Sequence, residues 1–188
     1  MKTAIVTLKS AGAYSQSKHY ETPMKPKESY PDYEARTWRD RLHADPKTEE
    51  VFIPPMAFKN CLAEAAKFLS IKIPGKGNAT YTKHFEAGTM VTEGLPIGIK
   101  KNEVDGEWFF VPSDGKRGGD KRVNKCFPVI HQWGGKVEFL VFDDTVTEKV
   151  FEDVLRDAGR FIGLGRFRPR NNGFYGRFDV VDIEWVYE

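Results

Sequence analysis

A chain of 188 residues fits one domain with insertions. It is 40% apolar and 13% aromatic, enough for a packed core, and its 30% charged residues and net charge of +2 exclude an intrinsically disordered chain and give no overall basic signal. Two cysteines, Cys61 and Cys126, are too few for a disulfide framework, and no stretch approaches the roughly 18–20 apolar residues of a membrane span, so a cytoplasmic protein that contacts no membrane is expected.

"TAIVTL" (residues 3–8) is β-branched and reads as a first strand; it is too short for a signal peptide. Residues 9–50 are polar, with Pro23, Pro26, Pro31 and Pro46 and with Tyr14, Tyr20, Tyr30, Tyr33 and Trp38 scattered between. A loop of that length is usually functional. A short helix is expected within it at residues 33–43, where Arg36, Arg39 and Arg41 interleave with Glu34 and Asp40 as on a salt-bridged surface.

Phe58, Cys61, Leu62, Ala65 and Leu69 follow helical spacing, and Pro55 suits a first turn, so a helix is expected over 55–69. Residues 76–135 read as short strands and turns, with hairpin signals at Asp105-Gly106 and Asp114-Gly115. "KVEFLVFD" (136–143) is a strand with apolar residues on both parities, which points to a central position or burial on both faces. A second helix follows at 145–163. Thr145 and Glu148 have capping-box spacing, and Val150, Phe151, Val154, Leu155, Ala158 and Ile162 form its stripe. Residues 178–187 close the chain as a strand. The order strand–helix–strand–strand–helix–strand predicts an α+β, ferredoxin-like (RRM-like) fold: one antiparallel sheet, two core helices on one face, and an inserted β-hairpin region. Residues 1–188 form one domain in this reading.

Charge is unevenly spread. Residues 138–157 carry seven carboxylates against Lys149 and Arg156, whereas 158–178 carry five arginines and no acid. The stretch "RFIGLGRFRPRNNGFYGRF" (160–178) combines Gly163, Gly165, Gly173 and Gly176, which let a ligand approach the backbone, with Arg166, Arg168, Arg170 and Arg177, whose planar forks suit phosphate. Phe167, Phe174 and Tyr175 are candidates for stacking on bases. The bland alternative is a turn-rich connection whose arginines pair with the acidic helix beside it. A second basic loop, "GKRGGDKR" (115–122), adds Lys116, Arg117, Lys121 and Arg122 and is equally readable as a solvated hairpin tip. No Walker loop, dinucleotide fingerprint or nucleophile elbow is present.

The four histidines, His19, His43, His84 and His131, show no i,i+4 pairing, so neither a metal nor a cofactor is expected. His19, beside Ser15, Ser17 and Tyr20, is the candidate general base of a metal-independent ribonuclease; a polar surface histidine is the simpler reading. Asp143 and Asp144 read as a helix cap.

"FIPPMAFKNCLAEAAK", which introduces the first long helix, is similar to the I-P-x-S-x-[KR]-x-x-[LI]-[RK] pattern of the RAMP superfamily of CRISPR systems. The last helix running into "GRFIGLGRFRPRNNGFYGRFDV" resembles that superfamily's glycine-rich loop before the final ferredoxin-like strand. The loop after the first strand and the central hairpin resemble the backbone-subunit branch, whose hairpin "thumb" contacts guide RNA and neighbouring subunits. The resemblance fits an effector subunit and a standalone phage or mobile-element relative alike. It implies a protein that binds single-stranded nucleic acid, RNA before DNA, as part of a homo-oligomer or a multi-subunit assembly. A histidine-dependent endoribonuclease and a structural subunit of a phage or defence complex are the alternatives.

Overall fold

The computed structural model describes residues 1–116 and 118–187. In chain order the elements are β1 (Lys2–Ser10), β2 (Tyr14–Ser15), α1 (Tyr30–Thr37), β3 (Glu50–Ile53), α2 (Pro55–Leu69), α3 (Thr82–Gly88), β4 (Thr89–Val91), β5 (Leu95–Lys100), β6 (Asp105–Pro112), β7 (Arg122–Ile130), β8 (Gly134–Val141), α4 (Glu148–Asp157) and β9 (Phe178–Tyr187).

Ala4, Val6 and Leu8 of β1 are buried, and Thr3, Ile5 and Thr7 point to the opposite face, the period-2 pattern of a half-covered strand. β1 pairs antiparallel with β8 on one side and β9 on the other, in a sheet of order β4-β8-β1-β9. In β1–α2–β4 and in β8–α4–β9 the helix joins two strands that are not neighbours, so the two units interleave. That is the ferredoxin-like arrangement expected from the sequence. The ring of Phe139 in β8 meets Phe58 of α2 at 6.5 Å and Phe151 of α4 at 5.5 Å, so both helices cover one face of the sheet. β8 is central, as its composition suggests, but only Val137, Phe139 and Val141 are buried; Glu138 is exposed on the other face.

α2 starts where expected. Pro55 occupies a position whose N–H has no helical partner, and Ser70 ends the helix with a left-handed φ of 47°. α4 departs from expectation at its cap. Thr147, not Thr145, accepts from the Val150 N–H. Thr145 is already committed one turn earlier, its N–H donating to Asp143 Oδ1 at 2.8 Å, and the buried Val146 closes that turn. α4 ends in a wider turn, Ala158–Ile162, closed by Gly163 N–H donating to Ala158 O at 2.9 Å. A Cβ on Gly159 would lie 2.1 Å from Phe178 O, so glycine is what lets this turn touch β9.

The stretch after β1 is more ordered than a loop. β2 joins β7 and β6 in a second, three-stranded sheet of order β2-β7-β6. Arg41, expected on a surface helix, is instead buried: it pairs with Glu34 at 2.7 Å and donates to Cys126 O at 3.0 Å, while Glu34 accepts from Cys126 N at 2.8 Å. The pair ties this segment to β7, and breaking it would cost about 3–5 kcal/mol because one buried charge would be left behind. Arg36 does form a surface pair, with Glu28 at 2.6 Å. The β6–β7 hairpin turns at Asp114-Gly115. Asp105-Gly106, the other turn signal, lies inside β6, where a Cβ on Gly106 would meet Cys126 Sγ at 2.6 Å. β4, a core strand, falls within the stretch read as an insertion. Both cysteines are buried and free, and burial pushes the Cys61 thiol up to about 12 and Cys126 to about 11.

Candidate nucleic-acid interface

The glycine-rich loop leaves the wide turn after α4 and returns into β9. It is closed at its neck by Leu164 N–H donating to Gly176 O at 3.0 Å and held to the rest of the molecule by Arg166 N–H donating to Ser15 O at 2.8 Å. Gly163, Gly165 and Gly176 have left-handed φ angles of 73°, 75° and 81°; Gly173 does not, and is crowded by Phe167 O instead. A Cβ on Gly165 would sit 2.3 Å from Ser15 O, so the loop lies directly on β2. The loop is thus a fixed feature rather than a flexible connection.

Its cations point in three directions. The Arg166 guanidinium carbon stands 3.5 Å from the centroid of Phe127 and 5.1 Å from that of Phe109, on the hairpin. Its Nη1 is buried with no hydrogen-bond partner among the described residues, and burial holds the group's pKa below the ordinary arginine value. Arg168 and Arg170 turn to α2 and share Glu64, at 2.8 and 3.4 Å. Their partner is therefore not the acidic helix α4. They line a groove with Asn60, Lys67 and Phe68, and Arg170 lies 5.4 Å from the Phe68 centroid. Arg177 is exposed, its Nε donating to Arg160 O at 3.2 Å.

The aromatic residues also divide. Phe174 is 60% exposed and stands 5.6 Å from the half-open ring of Phe167, as a stacking platform should. Tyr175 corrects the expectation for it: it is buried, its hydroxyl donates to the Glu107 carboxylate, and no base reaches its ring in this conformation. It pins the loop to β6. Lys116, Lys121 and Arg122 lie on or beside the hairpin tip, where the bonds are local: Lys116 N–H to Asp114, Ser113 N–H to Lys121 O. Arg117, the remaining tip cation, lies outside the described residues. His19 is exposed, with Glu21 3.5 Å away as its partner, and has no place in the cleft described next.

A cleft of about 270 Å³ opens between the loop, β2 and the start of α2, lined by Tyr14, Gln16, Ser17, His43, Pro54, Ala57, Gly165 and Arg166. No carboxylate lines it among the described residues. The N-terminal end of α2 has no side-chain cap and no acidic residue in its first turn, so its partial positive charge is uncompensated. His43 is half-buried here; burial, and secondarily the charge of Lys18, lower its pKa. What the cleft can offer an anion is side-chain chemistry, a guanidinium and a neutral imidazole, beside the positive end of the α2 dipole; the helix end itself gives few donors, since Pro54 and Pro55 carry no N–H and Ala57 N–H donates to Pro54 O at 3.0 Å. Nothing local in the sequence marks His43 and Gln16 as cleft residues; Gln16 is placed by donating to Phe52 O at 2.7 Å and accepting from His43 N at 2.7 Å. Lys67 and Phe68 were legible in principle, since Phe68 breaks the polar side of the α2 stripe.

No helix among the described residues is long and apolar enough to cross a membrane, and no cluster of three or more His, Cys, Asp or Glu is placed to hold a metal among them. No family model and no curated protein matches the sequence. The architecture sets the fold nonetheless: a ferredoxin-like α+β domain whose last helix passes through a glycine-rich loop into the final strand. The chain is similar to a solved structure described as the cryo-EM structure of the type III-B Cmr-beta bound to cognate target RNA, with a TM-score of 0.55 and 12% identity over 98% of this chain. It spans 60% of that protein's chain. Cmr6 from Pyrococcus furiosus gives a TM-score of 0.48 at 14% identity, covering 96% of this chain and 99% of that one.

Proposed function

We propose that this protein is an RNA-binding subunit of a CRISPR-type assembly. In this reading it grips the backbone of a single strand, with one phosphate in the cleft at the start of α2 and others along the glycine-rich loop. The carrying observation is the cleft itself: a cavity with no carboxylate among its described lining residues, shared by Arg166 and the start of α2, whose N-terminal end has no side-chain cap. The fold it shares with a structure bound to target RNA supports the same reading. Arg168, Arg170 and Arg177 extend the cationic track, and Phe167 and Phe174 provide faces for bases.

The site holds and does not cut in this reading. His43, the histidine in the cleft, has no carboxylate partner among the described residues, and cleavage of RNA through its 2′-hydroxyl needs an acid as well as a base. The test is fluorescence anisotropy of labelled single-stranded RNA, single-stranded DNA and duplex across a salt series, on nuclease-treated protein. About four neutralised phosphates on a single strand give a log–log salt slope near −3. Absence of saturable, salt-dependent binding to single strands would sink the reading. Intact RNA after prolonged incubation, with and without magnesium, is the expected companion result.

A further inference from the structure

The groove that Arg168 and Arg170 line against α2 differs in kind from the cleft at the start of that helix. It is larger, about 690 Å³ against about 270 Å³, and within the range of ligand pockets. The cleft has no carboxylate among its described lining residues; the groove has two, Glu64 and Glu86. Glu64 is accounted for, since both arginines pair with it. Glu86 is not. It comes from α3, is exposed, and has no ion pair and no side-chain hydrogen bond among the described residues. A free carboxylate beside a phosphate track repels the strand unless it has a task there.

Other groups on the groove are equally unengaged. Asn60 and Lys67 lie two turns apart on one face of α2, with Glu64 between them. Both are exposed, and neither side chain has a polar partner among the described residues. Phe68 is 51% exposed, and the plane of Arg170 stands 5.4 Å from its ring centroid. The groove therefore combines a stacking face, two arginines, an amide, an ammonium and a free carboxylate.

That set matches one base. A base of a single strand is read on its Watson–Crick and Hoogsteen edges and stacked on aromatic rings or guanidinium planes. Guanine alone of the four presents two donors side by side, N1–H and N2–H₂, to the two oxygens of a carboxylate, and its O6 and N7 accept from an amide or an ammonium. Cytosine and adenine each set one amino group beside an acceptor nitrogen, and uracil sets its N3–H between two carbonyls. On each of these a carboxylate meets a lone pair.

Resting on the function proposed above, we infer that this groove is a guanine site. The phosphate of one nucleotide lies on Arg168 and Arg170, its base on the Phe68 ring, its N1–H and N2–H₂ on Glu86, and its O6 on the donors of Asn60 and Lys67. The strand is held without regard to sequence along the loop and read for guanine at this one position. A free guanine mononucleotide offers the same groups, and the test separates the two sources.

The experiment is fluorescence anisotropy with oligo(U) strands of one length that carry a central guanine, inosine, adenine or cytosine, at one salt concentration, beside calorimetric titration with GMP, IMP and AMP. The guanine strand binds about 5- to 10-fold tighter than the adenine and cytosine strands, the lower part of what one bidentate base contact gives. Inosine, which lacks only the N2 amino group, loses most of that preference. Glu86→Ala abolishes the preference without weakening oligo(U) binding or lowering the melting temperature; a merely structural Glu86 would lower melting and weaken every strand alike. Glu86-dependent binding of GMP over IMP and AMP, with no preference among strands, keeps the site and assigns it to the free nucleotide. Strands bound alike together with no binding of GMP, or a guanine preference that survives in Glu86→Ala, would overturn the guanine site. Either of those results leaves salt-dependent binding of every strand in place, and with it the function proposed above.

Discussion

The Arg166 guanidinium lies against the ring of Phe127, its central carbon 3.5 Å from the ring centroid. The contact joins the glycine-rich loop to β7 and so to a hairpin that the chain reaches much earlier. An arginine that looks from sequence like a surface phosphate ligand is also a strut. Its planar group is what would permit both roles: one face packs on carbon, and the edge carries an Nη1 that is buried without a hydrogen-bond partner among the described residues.

Replacing Arg166 with lysine keeps the charge and removes the stacked plane. Arg166→Lys is expected to lose about 1 kcal/mol of stability, within the range of a partly desolvated cation–π pair, with an almost unchanged salt slope for RNA. Arg166→Ala is expected to lose at least as much stability and to flatten that slope by about 0.7. Urea denaturation and anisotropy separate the two effects. A lysine variant as stable as the wild type would remove the strut.

Glu64 restrains two of the loop's cations, Arg168 at 2.8 Å and Arg170 at 3.4 Å. Both pairs are partly exposed, so their net contribution to stability is about 0–1 kcal/mol. Glu64→Gln frees the arginines for phosphate. The expected result is tighter RNA binding and a salt slope steeper by up to about 1.4, two phosphates at about 0.7 each, with little change in melting. Arg168→Ala/Arg170→Ala is expected to do the reverse. Binding that does not tighten in Glu64→Gln would place these arginines outside the interface.

Phe174 and Tyr175 are adjacent in sequence and opposite in role. Phe174 is in water; Tyr175 is buried with its hydroxyl on Glu107. Phe174→Ala is expected to weaken RNA binding by about 1–3 kcal/mol with stability unchanged. Tyr175→Phe removes the hydroxyl's bond to Glu107, whose exposed carboxylate takes water instead, and is expected to cost about 0.5–1.5 kcal/mol of stability. Its effect on RNA affinity should be small wherever the protein stays folded. Equal losses of affinity in the two folded variants would contradict this division.

These pairs show what was legible in the sequence. Local periodicity marks α2 to the residue and gives the order of β1, α2, β8, α4 and β9, because a helical stripe or a β-branched run is written in consecutive residues; it does not give α3, a seven-residue helix in the stretch read as strands and turns, nor the short strands β2 and β3. The glycine-rich loop was equally visible, since its composition is its signature. Side-chain partners were not. Glu64 precedes Arg168 by most of the fold, and nothing near either residue names the other. Arg41 reads as a surface charge until Glu34 and the Cys126 backbone close around it. The Asp105-Gly106 signal was true chemistry in the wrong service: glycine is needed there for the close approach of Cys126, not for a turn. The cleft is not written in any one stretch for the same reason: it is assembled from β2, the segment after α1, the start of α2 and the loop.

His43 makes the cleft sensitive to pH. Burial, and then Lys18, hold its imidazole below the ordinary value of 6.5, so the ring is neutral at pH 7 in the free protein. A phosphate in the cleft favours the imidazolium, and binding at this site therefore takes up a proton. RNA affinity is expected to rise as pH falls below about 6.5 and through the lowered value of the free protein, and to be level at higher pH. Stability moves the other way. A folded value below the unfolded one means that the unfolded chain takes the proton first, so stability is full above about 6.5 and declines as pH falls through the folded value. His43→Gln removes both dependences while keeping a polar side chain of similar reach. His19 and His131 are exposed and present in both proteins, so the difference between the two pH profiles belongs to His43. Anisotropy titrations from pH 5 to 8, paired with urea denaturation at each pH, supply the comparison. A wild-type affinity that ignores pH over this range, or a slope that persists unchanged in His43→Gln, would take His43 out of the phosphate site.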